Sequence, residues 1–162
     1  MLRMTDSVCV DAPVSTVWNA LSELESIHRW SPTIRRSTCI SEHARGVDAV
    51  RVCELGGNVT ITETVTDWQE GASFTYVGTG IPFVKRARNT WRVDALGTRT
   101  LVSSVSEIEF RGGVLGRLLE PVMRRVSVRL GRESLASFKY LVEYGTPYEG
   151  EVKTLLPVPS GC

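Results

Sequence analysis

The C-terminal part of the chain has hydrophobic residues three or four positions apart, which is the spacing of an amphipathic α-helix. The pattern runs over 113–144 and leaves one apolar face, while arginines occupy much of the remainder. Pro121 has no backbone N–H to donate within a helix. We therefore predict a short helix over 114–119 and a second helix that begins near Glu120, with Pro121 in its first turn.

The N-terminal part of the chain predicts one strand followed by two short helices. Residues 3–11 alternate between apolar and polar, with one face formed by Met4, Val8 and Val10. Ala12-Pro13 ends the alternation, and a helix is predicted to open at Val14. A second short helix or turn over 26–32 contains His28, for which a surface or capping role and a catalytic role are both open.

Between residues 33 and 110 the hydrophobic period falls to two, and glycine-containing turns divide the segment. The predicted strands are 33–42, 47–55, 58–68, 72–79, 85–95 and 99–110. Their short connections require antiparallel neighbours. The element order therefore predicts an α+β fold, in which a curved seven-stranded antiparallel sheet wraps around the long C-terminal helix and two short helices follow strand 1.

One domain is expected over 1–145, followed by an extended C-terminal tail over 146–162. Leu155, Leu156 and Val158 could dock on the domain or on a neighbouring subunit, but disorder is the simpler expectation for such a tail.

Strand alternation also predicts which side chains face the helix. In 58–68 the inward set places Glu63 among apolar residues and ends with Asp67. A carboxylate so placed needs a partner or stays protonated. Two alternatives follow for Glu63: a structural role, either near the cavity mouth or paired with a helix arginine such as Arg124 or Arg125, or a role as a catalytic acid or base.

The later strands add aromatic and small polar residues to the same side. The predicted pocket residues besides Glu63 are Phe74, Tyr76, Asn89, Trp91, Ser104 and Ser106, with Val122 and Val126 from the helix. An apolar wall with a few convergent polar groups is typical of a small-molecule pocket. The serines either leave room for a ligand or make space for the helix. The loop 78–83 is either a lid or an ordinary hairpin loop.

Composition narrows the classes of function. The net charge of +1 argues against nucleic-acid binding, and no apolar stretch is long enough for stable membrane insertion. The cysteines at 9, 39, 53 and 162 lie far apart, and the chain has only two histidines, so we expect no metal site. We expect the four thiols to be reduced, as in a cytoplasmic protein. No signal peptide is predicted. Neither a phosphate loop nor a nucleophile elbow is present, so no cofactor is predicted.

Four segments resemble the START-like (SRPBCC) superfamily. They are Val-Asp-Ala-Pro-Val-Ser-Thr-Val-Trp over 10–18, the tryptophan-containing segment 27–32, the hairpin 91–100 and the helix end 135–143. The resemblance spans about residues 4–144. That superfamily includes polyketide cyclases and aromatases, birch-pollen-allergen proteins and lipid-transfer domains. It implies a helix-grip fold with a deep, mostly apolar cavity between sheet and helix.

The resemblance implies that the protein binds a hydrophobic small molecule, in one of two ways. In a polyketide cyclase, aromatase or dehydratase-like enzyme, Glu63 would be the acid or base, and Tyr76 and Asn89 would donate hydrogen bonds to an enolate or carbonyl oxygen. A carrier or sensor would bind a lipid-like or aromatic ligand unchanged. A third, weaker alternative is an assembly protein whose cavity is filled by side chains. A homodimer is left open.

Overall fold

The computed structural model of the chain describes residues 1–111, 113–157 and 162, and for residues 113–119 it describes the backbone alone. The strands are β1 (Leu2–Val10), β2 (Ile34–Cys39), β3 (Val50–Leu55), β4 (Thr60–Gln69), β5 (Ser73–Thr79), β6 (Val84–Leu96) and β7 (Arg99–Phe110). The α-helices are α1 (Val14–Ser22) and α2 (Gly113–Tyr144). Short 3₁₀-helices cover Leu24–Arg29, Gly56–Asn58 and Val152–Leu155.

The strands form one antiparallel sheet in the order β1-β7-β6-β5-β4-β3-β2. Strands β2 to β7 pair with their neighbours in sequence, and β1 pairs with β7, so that β1 and β2 are the two edge strands. The sheet curves around α2, and α1 packs beside it with the first 3₁₀-helix. The predicted α+β helix-grip fold is confirmed.

The core lies between the concave face of the sheet and the C-terminal half of α2. Leu135 and Phe138 of α2 are fully buried. Trp30 meets Phe138 and Trp91 edge to face, with ring centroids 5.1 Å and 5.5 Å apart. Edge-to-face contacts add to the hydrophobic stabilisation that burial of these large rings supplies. This aromatic layer closes the deep end of the space between sheet and helix.

The predicted break at Pro121 is wrong, since α2 runs without interruption from Gly113 to Tyr144 with Pro121 inside it. Pro121 is exposed. Water can therefore bind the carbonyl that lacks an N–H donor, and the helix continues past the proline at the cost of one hydrogen bond.

A β-bulge corrects the predicted orientation of Asp67. The pairing of β4 with β5 shifts register between Val65 and Asp67. The extra residue reverses the alternation, so Asp67 is exposed while the side chain of Trp68 packs on Phe74, with ring centroids 5.4 Å apart.

The C-terminal tail packs on the domain, so the expectation of disorder is wrong for its described part. Its 3₁₀-helix Val152–Leu155 contacts α2, and Tyr148 meets Tyr140 of α2 with ring centroids 4.9 Å apart. Leu156 is half-buried. Val158 lies outside the described residues.

Cys9 and Cys162 form a disulfide bond, whereas Cys39 and Cys53 are free thiols. The expectation of reduced cysteines is therefore wrong for the first pair. Their distance in sequence concealed the pairing, because the tail returns to β1 only in the folded chain. Disulfides are typical of oxidising compartments, and the cytoplasmic location stays a prediction. In the described part of the chain, no helix has both the length and the hydropathy that crossing a bilayer requires.

Candidate ligand-binding site

A cavity of about 250 Å³ lies between the concave face of the sheet and α2. It is larger than the roughly 150 Å³ cavity that holds benzene and slightly smaller than typical drug-sized pockets of about 300–1,000 Å³. Six of the predicted residues line it together, namely Glu63, Tyr76, Asn89, Trp91, Ser104 and Ser106. Their inward orientation agrees with the strand alternation.

Glu63 is held by a buried ion pair with Arg51 of β3. Arg51 Nε donates to Glu63 Oε2 at 2.5 Å, and the two residues are only 3% and 6% exposed. Arg51 Nη1 also donates to the carbonyl oxygen of Leu24 at 2.9 Å. Burial is the largest single influence and would lower the pKa of Arg51, but Glu63, with smaller contributions from Tyr76 and Cys53, raises that pKa above its ordinary value. Arg51 therefore stays charged, and this pairing favours the structural alternative for Glu63.

The partner of Glu63 comes from the neighbouring strand and not from the helix arginines that the sequence suggested. Arg51 and Glu63 are directly opposite each other in the β3–β4 pairing. Both lie six positions from Gly57, which is at the centre of the connecting turn. Counting outward from the Gly56-Gly57-Asn58 turn would have found Arg51, because hairpin register follows from the turn.

A chain of hydrogen bonds runs along the sheet from Tyr76 to β7. Asn89 Nδ2 donates to the Tyr76 hydroxyl oxygen at 3.0 Å. Asn89 Oδ1 in turn accepts from Ser104 Oγ at 3.0 Å and from Ser106 Oγ at 3.1 Å. Asn89 thus fixes three hydroxyl groups of the cavity wall. The wall keeps a free phenolic proton on Tyr76 and a second amide hydrogen on Asn89 that can be donated to a ligand oxygen.

The ion pair also contacts the polar wall, because Arg51 packs against the ring of Tyr76. The guanidinium carbon of Arg51 lies 5.0 Å from the centre of the Tyr76 ring, within the range of a cation–π contact. Burial and the Glu63 carboxylate raise the pKa of Tyr76 to about 12, although Arg51 and Asn89 oppose them. Burial and Glu63 likewise raise the pKa of the Cys53 thiol to about 11. Both groups are therefore protonated near neutral pH.

These raised pKa values predict a loss of stability in alkali. Unfolded tyrosine and cysteine lose their protons near pH 10 and pH 9, before Tyr76 and Cys53 do so in the folded protein. Below about pH 9 the raised pKa values make their full contribution to the free energy of unfolding. This contribution is lost as the pH rises towards about 12, and for Tyr76 it amounts to about 2–3 kcal/mol. Urea unfolding at a series of pH values measures it. Tyr76→Phe should flatten the slope above pH 10, whereas the exposed-site control Tyr144→Phe should not; equal slopes in all three proteins would contradict this account.

Phe74, Val122 and Val126 do not line the cavity. Phe74 is buried in an aromatic cluster with Trp18 and Trp68, so its inward position serves the core. Val122 and Val126 are 59% and 44% exposed, and their assignment to the pocket is wrong. Leu135, which faces the sheet, follows Val126 by nine positions. Nine positions are about two and a half turns, so Val126 points away from the side of α2 that carries Leu135.

The face of α2 that does line the cavity is formed by Ser127, Leu130, Gly131, Ser134 and Leu135. Its small residues were not recognised in the sequence because the apolar stripe was read from the larger side chains.

The loop 80–83 contributes nothing to the described lining, which favours an ordinary hairpin loop over a lid. His28 is exposed, and its Nδ1 lies 2.8 Å from the Glu25 carbonyl oxygen, as in the surface or capping alternative.

Asp6 of β1 is a second carboxylate at the cavity that sequence reasoning missed. The alternation that turns Met4 and Val8 inward also turns Asp6 inward, so the signal was present in the sequence. Its Oδ1 lies 3.7 Å from Arg132 Nε, and its side chain is 19% exposed. Burial raises the pKa of Asp6 above its ordinary value, and Arg132 opposes only part of that effect.

The family described as polyketide cyclase / dehydrase and lipid transport matches residues 1–143 of the chain. The chain belongs to this family. The description of this family names both catalysis and lipid transport, so membership alone does not decide between an enzyme and a carrier. Membership confirms the START-like assignment made from the motifs. Among curated proteins, none matches the chain in sequence.

Solved structures similar to this family member share its fold at low sequence identity. A START superfamily protein from Mycobacterium smegmatis has a TM-score of 0.71 and 16% identity, with 89% of this chain and 99% of that chain covered. The Zhui aromatase/cyclase from a Streptomyces species has a TM-score of 0.69 and 19% identity, with 91% and 99% covered. The di-domain ARO/CYC BexL has a TM-score of 0.72 and 19% identity, with 88% of this chain and 47% of that one covered.

Proposed function

We propose that this protein binds a small, largely apolar molecule in the cavity between sheet and helix, with an oxygen atom of the ligand held against the polar wall. The observation that carries the proposal is a cavity of about 250 Å³, partly open to solvent, that side chains leave unfilled. Protein interiors are otherwise packed as closely as organic crystals. An unfilled cavity costs stability, which a ligand would restore.

The apolar part of the lining supplies the affinity in this proposal. Ile27, Ile61, Leu130 and Leu135 contact the space from three different elements, and Trp30 and Trp91 present ring surfaces. Each Å² of apolar surface removed from water contributes about 25 cal/mol. A ligand of one or two fused rings would therefore pack the flat faces of its rings against these apolar side chains.

The polar wall supplies the orientation. Tyr76 O–H and the second N–H of Asn89 are donors that would meet a carbonyl or phenolic oxygen. Ser104 and Ser106 each keep oxygen lone pairs that would accept from a ligand hydroxyl. Because Asn89 fixes these groups before binding, little conformational entropy would be lost when the ligand binds.

Cyclase or dehydratase chemistry is a second candidate, favoured by the protonated phenol that Tyr76 keeps inside the cavity. Such chemistry needs a proton donor or hydrogen bond at a carbonyl oxygen where negative charge develops. Tyr76 and Asn89 would supply it, and Asp6 would be available for proton transfer. Glu63, committed to Arg51, would position Tyr76 through the guanidinium; its role as an acid or base is the alternative that this ion pair makes less favourable.

Titration with naphthol tests the binding proposal. We expect one molecule per chain, with quenching of tryptophan fluorescence and a Kd in the range of about 1–100 μM. Trp91→Phe should reduce the quenching, and Trp68→Phe, which lies outside the cavity lining, should not. Absence of saturable binding to the folded protein would contradict the proposal.

Incubation with a β-hydroxyketone of similar size, followed by mass spectrometry, separates the candidates: loss of one water supports an enzyme, and an unchanged compound supports a carrier.

A further inference from the structure

The charged groups around the cavity are distributed unevenly. Asp6 and Glu63 line it, whereas no lysine, arginine or histidine belongs to the lining that the structure describes. The remaining polar side chains of the lining carry hydroxyl groups, the Asn89 amide and the indole N–H groups of Trp30 and Trp91. Among the side chains that the structure describes, a ligand that enters therefore meets two carboxyl groups and no cation.

The nearest buried cation is not available to a ligand. Arg51 lies behind Glu63 and Tyr76, and its Nε and Nη1 are used by the Glu63 carboxylate and the Leu24 carbonyl. Since the guanidinium is 3% exposed, an incoming anion could reach it only by displacing Glu63. That exchange would leave Glu63 buried without a partner, which is strongly unfavourable.

The other carboxylate is only partly compensated. Arg132 approaches Asp6 at 3.7 Å from outside the cavity, and its own side chain is 63% exposed. The attraction between the two is therefore weakened by solvent. Helix α2 passes close to Asp6, because a Cβ on Gly131 would lie 3.1 Å from Asp6 Oδ2. Asp6 therefore lies at the cavity between β1 and α2, with a partner, Arg132, whose charge solvent screens.

We propose that the cavity selects uncharged ligands and rejects carboxylates of the same shape, with Asp6 as a specificity-determining residue. This inference rests on the proposed function, since it names the charge of the ligand that the cavity binds. An anion would lose its hydration inside the cavity without gaining a cation, and it would be repelled by Asp6. A carbonyl, amide or hydroxyl group would lose less hydration free energy than an anion and would accept hydrogen bonds from Tyr76 and Asn89.

Naphthamide and naphthoate test the proposal because they differ little in shape but differ in charge at pH 7. We expect the amide to bind at least about tenfold more tightly in calorimetric titrations. Asp6→Asn should narrow this ratio severalfold by strengthening naphthoate binding. Asp67→Asn, which removes an exposed carboxylate from β4, should leave the ratio unchanged and controls for net charge.

Each outcome has a distinct consequence. Equal or tighter binding of naphthoate by the unmodified protein would overturn charge selection while supporting the proposed function. An unchanged ratio in Asp6→Asn would overturn the assignment of specificity to Asp6. Binding of neither compound, nor of naphthol, would overturn the proposed function and this inference with it.

Discussion

Replacement of Arg51 by methionine lowers the free energy of unfolding by about 3–5 kcal/mol, the magnitude expected when one partner of a buried ion pair is removed. The physical reason is that Glu63 stays 6% exposed and loses the guanidinium that compensates its charge. The Leu24 carbonyl also loses its donor. Urea-induced unfolding at pH 7 measures the change.

The double variant Arg51→Met, Glu63→Met separates lost charge compensation from lost packing. Because no charge is then left buried without a partner, we expect most of the lost stability to return. Arg92→Met is the matched control: Arg92 pairs with Asp94 at 3.0 Å on the surface, and its loss should cost less than about 1 kcal/mol. A double variant no more stable than Arg51→Met would show that the pair is not the source of the effect.

If the proposed site binds naphthol, we expect Ser134→Phe to raise its Kd about a hundredfold, which corresponds to about 3 kcal/mol. Ser134 lines the cavity from α2, and a phenyl ring placed there would occupy space that the ligand needs. Filling an existing cavity restores contacts that the lining residues lack, so stability should change little. Fluorescence titration and thermal unfolding of the same samples measure both quantities.

Val126→Phe is the control for this experiment. Val126 is on the same helix but 44% exposed, so the added ring would extend into solvent and leave naphthol binding unchanged. The two variants also distinguish the helix face found in the structure from the one the apolar pattern suggested. Strong binding by a folded Ser134→Phe protein, or its loss in Val126→Phe, would place the ligand elsewhere.

The buried ion pair connects the stability of this fold to the chemistry of its cavity. Arg51 packs against the ring of Tyr76, and Tyr76 begins the hydrogen-bond chain through Asn89 to Ser104 and Ser106. We therefore expect loss of Arg51 to disturb ligand orientation as well as folding. The proposed site would then depend on a residue, Arg51, that does not line the cavity.

The sequence by itself determined the strand faces and, with them, most of the polar wall. Glu63, Tyr76, Asn89 and Ser104 could be placed inward because successive side chains of a regular strand point to opposite faces. The same rule placed Asp6, although it was overlooked. The rule failed at Asp67, where a bulge that no residue type announces adds one position to β4.

Only the tertiary structure decided which partners meet and which side of α2 faces the sheet. Arg51 meets Glu63 through strand register, and Cys9 meets Cys162 because the tail folds back on α2. An apolar stripe shows that a helix packs but not how it is rotated, so the pattern indicated Val126 and missed the small residues around Ser134. Contacts between distant segments depend on the packed arrangement of the whole chain, whereas alternation within a strand is fixed by local backbone geometry.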